Sequence, residues 1–132
     1  MPTPISSSIT NRRRLRVLIV DDMPQVRQEM RVLLQLTDEL EVVGEAADGR
    51  EAISQAEALR PDVVVMDLEM PGLDGFETTR QIKARGLAEK VVVLSIHAHS
   101  DNVQRARQAG VDVFIDKASR YKTLMSAIVA SR

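Results

Sequence analysis

The chain contains no cysteine and no tryptophan, and it has one tyrosine and two phenylalanines among 132 residues. The absence of cysteine excludes disulfide bonds, thiolate metal sites and thiol catalysis. Because aromatic residues are so few, aliphatic side chains and methionine must form any core. Since 44% of the residues are hydrophobic, the composition is still that of an ordinary globular domain.

Excess charge and long apolar runs are also missing. Lysine and arginine together number 18 and the acids 19, which gives a net charge of −1 and no bulk argument for binding to nucleic acid or membrane. No apolar run approaches the ~18 residues that span a bilayer. The run at 15–20 is too short for a signal-peptide core and ends in two aspartates. We therefore expect a cytoplasmic protein with no membrane segment.

The N-terminal residues differ in composition from the rest of the chain. Residues 1–11 are rich in Ser, Thr and Pro and show no periodicity, so we predict a mobile tail over 1–14 and a single domain over 15–131. Four arginines follow this segment: Arg12, Arg13, Arg14 and Arg16. We favour the interpretation that they keep the start of the first strand solvated over the alternative that they contact phosphate or nucleic acid.

From residue 15 onward, apolar runs of strand length alternate with segments of helical periodicity. The predicted strands are 15–20, 40–46, 62–67, 90–95 and 111–116, and the predicted helices are 24–36, 49–59, 75–85, 101–109 and 119–131. Asp48 with Glu51, and Asp74 with Glu77, fit capping boxes at two helix starts. Such alternation predicts an α/β domain with a five-stranded parallel sheet.

Polar residues follow the ends of the apolar strands. Asp21 and Asp22 follow the first, Asp67 the third, Ser95 the fourth, and Lys117 comes just after the fifth. The carboxyl ends of strands in an open parallel sheet line the crevice where ligands bind. Three carboxylates at one edge would repel one another unless a hard cation such as Mg²⁺ sat between them. The set also offers a carboxylate nucleophile and a cation for a phosphoryl oxygen.

Each of these residues has a simpler explanation when taken alone. Asp22 precedes a helix and would fit equally well as its N-cap. A lysine after a strand is usually solvated, and one serine is weak evidence. The joint pattern favours a phosphoryl-transfer site, because capping does not require acids, a hydroxyl and a lysine at four strand ends.

The chain resembles the receiver domain of two-component response regulators. The resemblance covers about residues 15–131 and rests on IVDDMP (19–24), VVVMDLEMPGLDGFE (63–77), VVVLS (91–95) and AGVDVFIDK (109–117). DLEMPGLDG and DKAS look most like the NarL/FixJ (LuxR-type) class. The resemblance implies a doubly wound, flavodoxin-like (CheY-like) three-layer sandwich of strand order 2-1-3-4-5.

The resemblance also implies roles for individual residues. Asp67 would be the phosphoacceptor. Asp22, Asp67 and the backbone carbonyl of Glu69 would bind Mg²⁺, and Asp21 would act through a water molecule. Lys117, the Ser95 hydroxyl and the Ile96 N–H would contact the phosphoryl group, and Phe114 occupies the switch-aromatic position, without a tyrosine hydroxyl. Glu69 and His97 would flank the phosphoryl group and tune its lifetime.

Partners implied by the resemblance are a sensor histidine kinase or phosphotransfer protein and, on phosphorylation, a second copy of the chain. DNA would be reached only through a domain that this chain does not contain. We expect a switch rather than an enzyme, with only self-phosphorylation and self-dephosphorylation. Three alternatives stay open: a stand-alone receiver acting by protein contact, a receiver-like module that is never phosphorylated, and a phosphohydrolase of the haloacid dehalogenase type. Glu69 argues against the last, since such enzymes carry a second aspartate there.

Overall fold

The structure is a computed structural model that describes residues 13–68, 70, 73–95, 100–116, 126, 128 and 129. Within these described residues, five strands and four helices alternate. They are β1 (Leu15–Val20), α1 (Pro24–Leu34), β2 (Leu40–Ala46), α2 (Gly49–Leu59), β3 (Val63–Asp67), α3 (Gly75–Ala84), β4 (Lys90–Ser95), α4 (Ser100–Ala109) and β5 (Val113–Asp116). Most of the predicted last helix, 119–131, lies outside these residues, although 126, 128 and 129 are helical.

The sheet is parallel throughout and has the order β2-β1-β3-β4-β5. This order confirms the predicted doubly wound topology. The central strand β3 is buried along its whole length, as expected for a parallel strand that helices cover on both faces. The more polar β2 lies at an edge, which its composition had suggested.

Two apolar clusters form the core, one on each face of the sheet. Alternate residues of one strand enter opposite clusters: Leu18 and Val20 pack on the face of α2, α3 and α4, whereas Val17 and Ile19 pack on the face of α1 and Ile128. Period-two alternation of side chains produces this division. The fold is therefore the expected three-layer sandwich, with a mainly aliphatic core that also contains Phe76.

Five predicted boundaries were wrong by one or two residues. Helix α3 ends at Ala84 rather than residue 85, and α4 begins at Ser100 rather than 101. Helix α1 ends at Leu34 rather than residue 36, because Leu36 finds no core and is 74% exposed. Strand β3 begins at Val63 rather than 62, and β5 begins at Val113 rather than 111. In both strands an aspartate before the first residue uses its side chain to hold neighbouring backbone instead: Asp62 accepts from Arg16 N, and Asp112 accepts from Val91 N.

Both predicted helix caps are present, although neither is a complete box. Asp48 and Asp74 accept hydrogen bonds from the backbone N–H groups of Glu51 and Glu77. Glu51 reaches back to Ala47 N rather than to Asp48 N, and Glu77 bonds to Arg80 and Gln81. One half of the motif is enough to fix each helix start.

Candidate functional site

The strand register brings the predicted polar residues to one edge of the sheet. Val20, which precedes Asp21, lies opposite Met66, which precedes Asp67. Ser95 lies opposite Asp116 at the end of β5. The carboxyl ends of four neighbouring strands therefore carry acids and a hydroxyl side by side, as the sequence predicted.

Three carboxylates meet at this edge, and we call them the acidic cluster: Asp21, Asp22 and Asp67. One oxygen from each lies within 4.8 Å of the others. Asp21 is only 1% exposed and Asp67 only 4%, whereas Asp22 faces solvent. Like charges this close disfavour one another strongly unless a counter-charge is present.

The acidic cluster fits a hard divalent cation. The Oδ2 atom of Asp21 is buried and has no hydrogen-bond partner among the described residues. A buried, unpaired carboxylate oxygen is costly, and a cation held among the three carboxylates would satisfy it. Carboxylate oxygens with one open, solvent-facing side suit Mg²⁺, which keeps several waters.

Backbone hydrogen bonds hold Asp21 in place after β1. Asp21 N donates to Ala46 O at 3.0 Å, and Asp21 Oδ1 accepts from Met23 N at 2.9 Å. The N-cap of α1 is Met23, with no side-chain cap, and Pro24 opens the helix. The alternative in which Asp22 caps α1 is therefore wrong. Its carboxylate lies in the acidic cluster.

A pair of arginines fastens α1 to the end of β2 beside this loop. Arg27 Nη1 donates to Asp21 O at 2.6 Å, and its Nε donates to Glu45 Oε1 at 3.0 Å. Arg31 Nε donates to Glu45 Oε2 at 2.7 Å. Burial raises the pKa of Glu45, but the bonds from Arg31 and Arg27 outweigh it, so the pKa lies below its usual value. Sequence reasoning missed these residues, although arginines four positions apart on one helix were a usable signal.

Asp67 is fixed by the packing of the residue that follows it. Leu68 N donates to Leu94 O at 3.0 Å, and the start of α3 presses on Leu68. A Cβ on Gly75 would lie 2.9 Å from Leu68 Cδ1 and 3.1 Å from its Cα. Only glycine allows this approach, so Gly75 sets how closely α3 packs behind Asp67.

Next to the acidic cluster, β4 and β5 carry the two predicted switch residues. Ser95 ends β4 and is fully buried. Phe114 lies one strand over, partly buried against the core, where it lines a cavity of about 200 Å³ with Val103, Ala106 and Arg107 of α4. Of α4, only Ala106 and Ala109 are buried among the residues whose side chains are described, so apolar burial holds this helix weakly.

Several predicted site residues lie outside the part of the chain that the structure describes. They are Glu69, Ile96, His97 and Lys117. Their expected contacts stay predictions. Among the described residues, no helix is both long and apolar enough to cross a bilayer.

Comparisons with known proteins point to one family. The family model described as the response regulator receiver domain matches residues 17–129. The nitrate/nitrite response regulator protein NarL of Escherichia coli (strain K12) is 32% identical over 120 residues, which cover 91% of this chain and 56% of that protein. The response regulator protein VraR of Staphylococcus aureus (strain Mu3) is 41% identical over 114 residues, 86% of this chain and 54% of VraR.

A solved structure agrees with the sequence relatives. The signal receiver domain of a NarL response regulator from Mycobacterium tuberculosis superposes with a TM-score of 0.84 at 31% identity, covering 89% of this chain and 95% of that domain. The chain spans little more than half the length of the curated relatives above. The motifs, the strand order, the acidic cluster and these similarities lead to one conclusion: the chain belongs to the response regulator receiver domain family of two-component signalling, in the class of NarL and VraR.

Proposed function

We propose that this domain is a switch that accepts a phosphoryl group on Asp67, in a Mg²⁺-dependent reaction, from a phosphohistidine of a sensor kinase or phosphotransfer protein. One observation carries the proposal. Asp67 is buried at the end of β3, and its carboxylate lies within 4.8 Å of those of Asp21 and Asp22. Carboxylates packed this closely bind a cation readily, and phosphoryl transfer depends mainly on positioning and charge stabilisation.

Asp22, Asp67 and the backbone carbonyl of Glu69 would hold Mg²⁺ directly, and Asp21 would hold it through a water molecule. The bound ion supplies positive charge for the phosphoryl oxygens. Asp21 is deeper than Asp22 and is fixed by three hydrogen bonds. This rigidity gives the acidic cluster a fixed side, while the exposed Asp22 faces the solvent from which an ion arrives.

In the reaction, a carboxylate oxygen of Asp67 forms a bond to phosphorus as the bond from phosphorus to the donor histidine breaks. The electron pair of the broken bond stays on the imidazole, so no oxidant or further reactant is needed. The product is an acyl phosphate. Lys117, the Ser95 hydroxyl and the Ile96 N–H would then bind its oxygens, since charge-assisted hydrogen bonds are the strong ones.

The readout would pass from Ser95 to Phe114 and α4. Ser95 ends β4, and Phe114 of β5 lines the cavity under α4. A shift of Ser95 toward a phosphoryl group would open space in the sheet for Phe114 to follow. Elements that bury little apolar surface are the ones that move at low cost, and α4 is such an element.

The lifetime of the phosphoryl group would depend on Glu69 and His97. Both flank the expected path of the attacking water, and His97 changes charge near neutral pH. Replacing either residue is expected to change the dephosphorylation rate several-fold with little effect on Mg²⁺ affinity. Equal decay rates and pH profiles for the parent, Glu69→Ala and His97→Ala would exclude this role.

The output would be transcription, through a DNA-binding domain outside the receiver, with pairing of two phosphorylated copies as the step that engages DNA. The relatives NarL and VraR are response regulators nearly twice the length of the matched region, which supports a second domain. In this proposal, the tail ends before Arg13, which pairs with Asp62. Residues 15–131 form the receiver, and the protein works in the cytoplasm.

Intact mass after incubation with acetyl phosphate and Mg²⁺ tests the proposal. The parent should gain a single phosphoryl group, and Asp67→Asn should gain none. Asp74→Asn is the matched control, because it makes the same chemical change on the loop after β3 and asparagine caps a helix as well as aspartate does. Labelling of Asp67→Asn equal to that of the control would reject Asp67 as the acceptor. Steady turnover of a phosphomonoester would instead indicate a hydrolase.

A further inference from the structure

Asp22 contributes to the acidic cluster only if the backbone before it is held in one orientation. Its side chain faces solvent, so packing does little to fix its position. The peptide that joins Asp21 to Asp22 carries the Asp21 carbonyl, and that oxygen accepts a 2.6 Å hydrogen bond from Arg27 Nη1. Rotation of this peptide would swing Asp22 away from Asp21 and Asp67.

We propose that Arg27 is a positioning residue for the acidic cluster, anchored by Glu45, and that it sets the affinity for a divalent cation through the Asp21–Asp22 peptide. The inference rests on the proposed function of the cluster as a Mg²⁺ site. Arg27 would not touch the ion. It would act through the orientation of Asp22.

The arginine is itself held on two sides, which makes it a fixed support. Its Nε donates to Glu45 Oε1 at 3.0 Å, and Glu45 is tied through Oε2 to Arg31 at 2.7 Å. Its side chain is only 17% exposed. The adjoining Ala46 accepts from Asp21 N, so the end of β2 supports both the N–H side and the carbonyl side of Asp21.

The charge of Arg27 and its supporting role predict opposite effects of its removal on Mg²⁺ affinity, so an experiment can separate them. Removing a positive charge near a cation site should, by Coulomb's law alone, leave Mg²⁺ affinity unchanged or raise it. Removing the support for the Asp21–Asp22 peptide should lower it. Arg31→Met is the matched control, because it deletes the same charge and one bond to Glu45, yet Arg31 has no hydrogen bond to Asp21 among those of the described residues.

The measurement is the Mg²⁺ dissociation constant from an NMR titration of the metal alone, without a phosphodonor. We expect Arg27→Met to bind Mg²⁺ roughly ten-fold more weakly, at the lower end of the usual effect of residues that orient metal ligands. Arg31→Met should bind as the parent does or slightly more tightly. In the metal-free protein, the Met23 amide signal should shift in Arg27→Met and stay in place in Arg31→Met, because Met23 N bonds to Asp21 Oδ1.

Chemical denaturation of each variant separates positioning from loss of folding. If Arg27→Met does not fold, Arg27→Gln replaces it, since glutamine is a good helix former, and the same criteria apply. Equal Mg²⁺ affinity in the Arg27 and Arg31 variants would overturn the positioning role. A parent that does not bind Mg²⁺, or an Asp22→Ala variant that binds it unchanged, would instead overturn the proposed metal site.

Discussion

The two ends of the sheet both bury aspartate carboxylates, and they treat them in opposite ways. At the amino end, Asp62 accepts two bonds from Arg13 and one from Arg16 N, each 2.8 Å. At the carboxyl end, Asp21 and Asp67 lie beside a third acid, and Asp21 Oδ2 has no hydrogen-bond partner among the described residues. A buried charge whose bonds are complete stabilises a fold, whereas one left incomplete next to like charges is available to a ligand.

The amino end also shows what two of the four N-terminal arginines do. Arg13 forms its forked pair with Asp62, and Arg16 Nη1 donates to Leu59 O and Arg60 O where α2 ends. These two arginines thus bind the domain's own carboxylate and carbonyl groups, which goes beyond the solvation that we expected. The Arg16 bonds bind the last carbonyl groups of α2, where Arg60 ends the helix in a left-handed conformation with a φ of 49°.

The largest effect should come from adding Mg²⁺, which distinguishes the two ends directly. At a concentration 100 times its dissociation constant, the ion should stabilise the parent by about 2.7 kcal/mol, because it binds only the folded state. Asp22→Ala should lose this gain and Asp62→Asn should keep it. Urea denaturation with and without Mg²⁺ measures both variants. If Asp22→Ala kept the stabilisation by Mg²⁺, the ion would have to bind outside the acidic cluster.

The second largest effect should come from replacing the Asp62 carboxylate, whose hydrogen bonds are complete, at the amino end of the sheet. Asp62→Asn should lower the free energy of unfolding by about 2 kcal/mol. The amide nitrogen of asparagine would face either Arg13 or the part-buried Arg16 N–H, and that donor would lose its acceptor. Phosphorylation of the folded fraction should continue. Unchanged stability in the same urea experiment would show that the Asp62 bonds contribute nothing net.

The third effect has the opposite sign. Asp21→Asn should raise the stability of the metal-free protein by about 1 kcal/mol at low salt, because it removes one of three crowded charges. Asparagine still offers an oxygen to Met23 N. Thermal denaturation in the presence of a chelator checks the sign. Destabilisation would mean that the acids do not strain the metal-free fold.

The smallest effect is expected in acid. The Arg13 hydrogen bonds hold the pKa of Asp62 below its usual value, and burial only partly opposes them. A depressed folded-state pKa gives stability that is complete above the unfolded pKa of about 3.9 and is lost as the pH falls through the folded pKa. Asp62→Asn should therefore lose less stability than the parent below about pH 4. Parallel acid titrations of unfolding for the two proteins would test this, and identical curves would contradict it.

The sequence predicted the strands well because apolar runs in a sheet covered on both faces are hard to mistake. β1, β2 and β4 begin and end at the predicted residues. The errors lie where a polar side chain competes with the regular backbone pattern. Asp62 and Asp112 extend apolar runs in the sequence, but each uses its carboxylate on a distant N–H group, which local periodicity cannot reveal.

The acids of the candidate site were predictable for a similar reason. Asp21, Asp22 and Asp67 directly follow or end strands, so topology alone brings them to one edge. The support of Asp21 by Arg27 and Glu45 could not be predicted, because the Arg27–Glu45 bond joins α1 to β2 over 18 positions in the chain. Pairings between residues so far apart depend on how helices lie on the sheet.

The sequence by itself determined the class of fold, the order of its elements and the chemical character of the edge where a ligand would bind, because apolar periodicity and strand ends are local properties. Only the tertiary structure decided which buried aspartate is paired with arginine and which lie beside other carboxylates. Asp62 and Asp21 are the same residue type next to similar apolar runs. Their different environments arise from what the fold brings to each carboxylate: an arginine side chain to Asp62 and further carboxylates to Asp21.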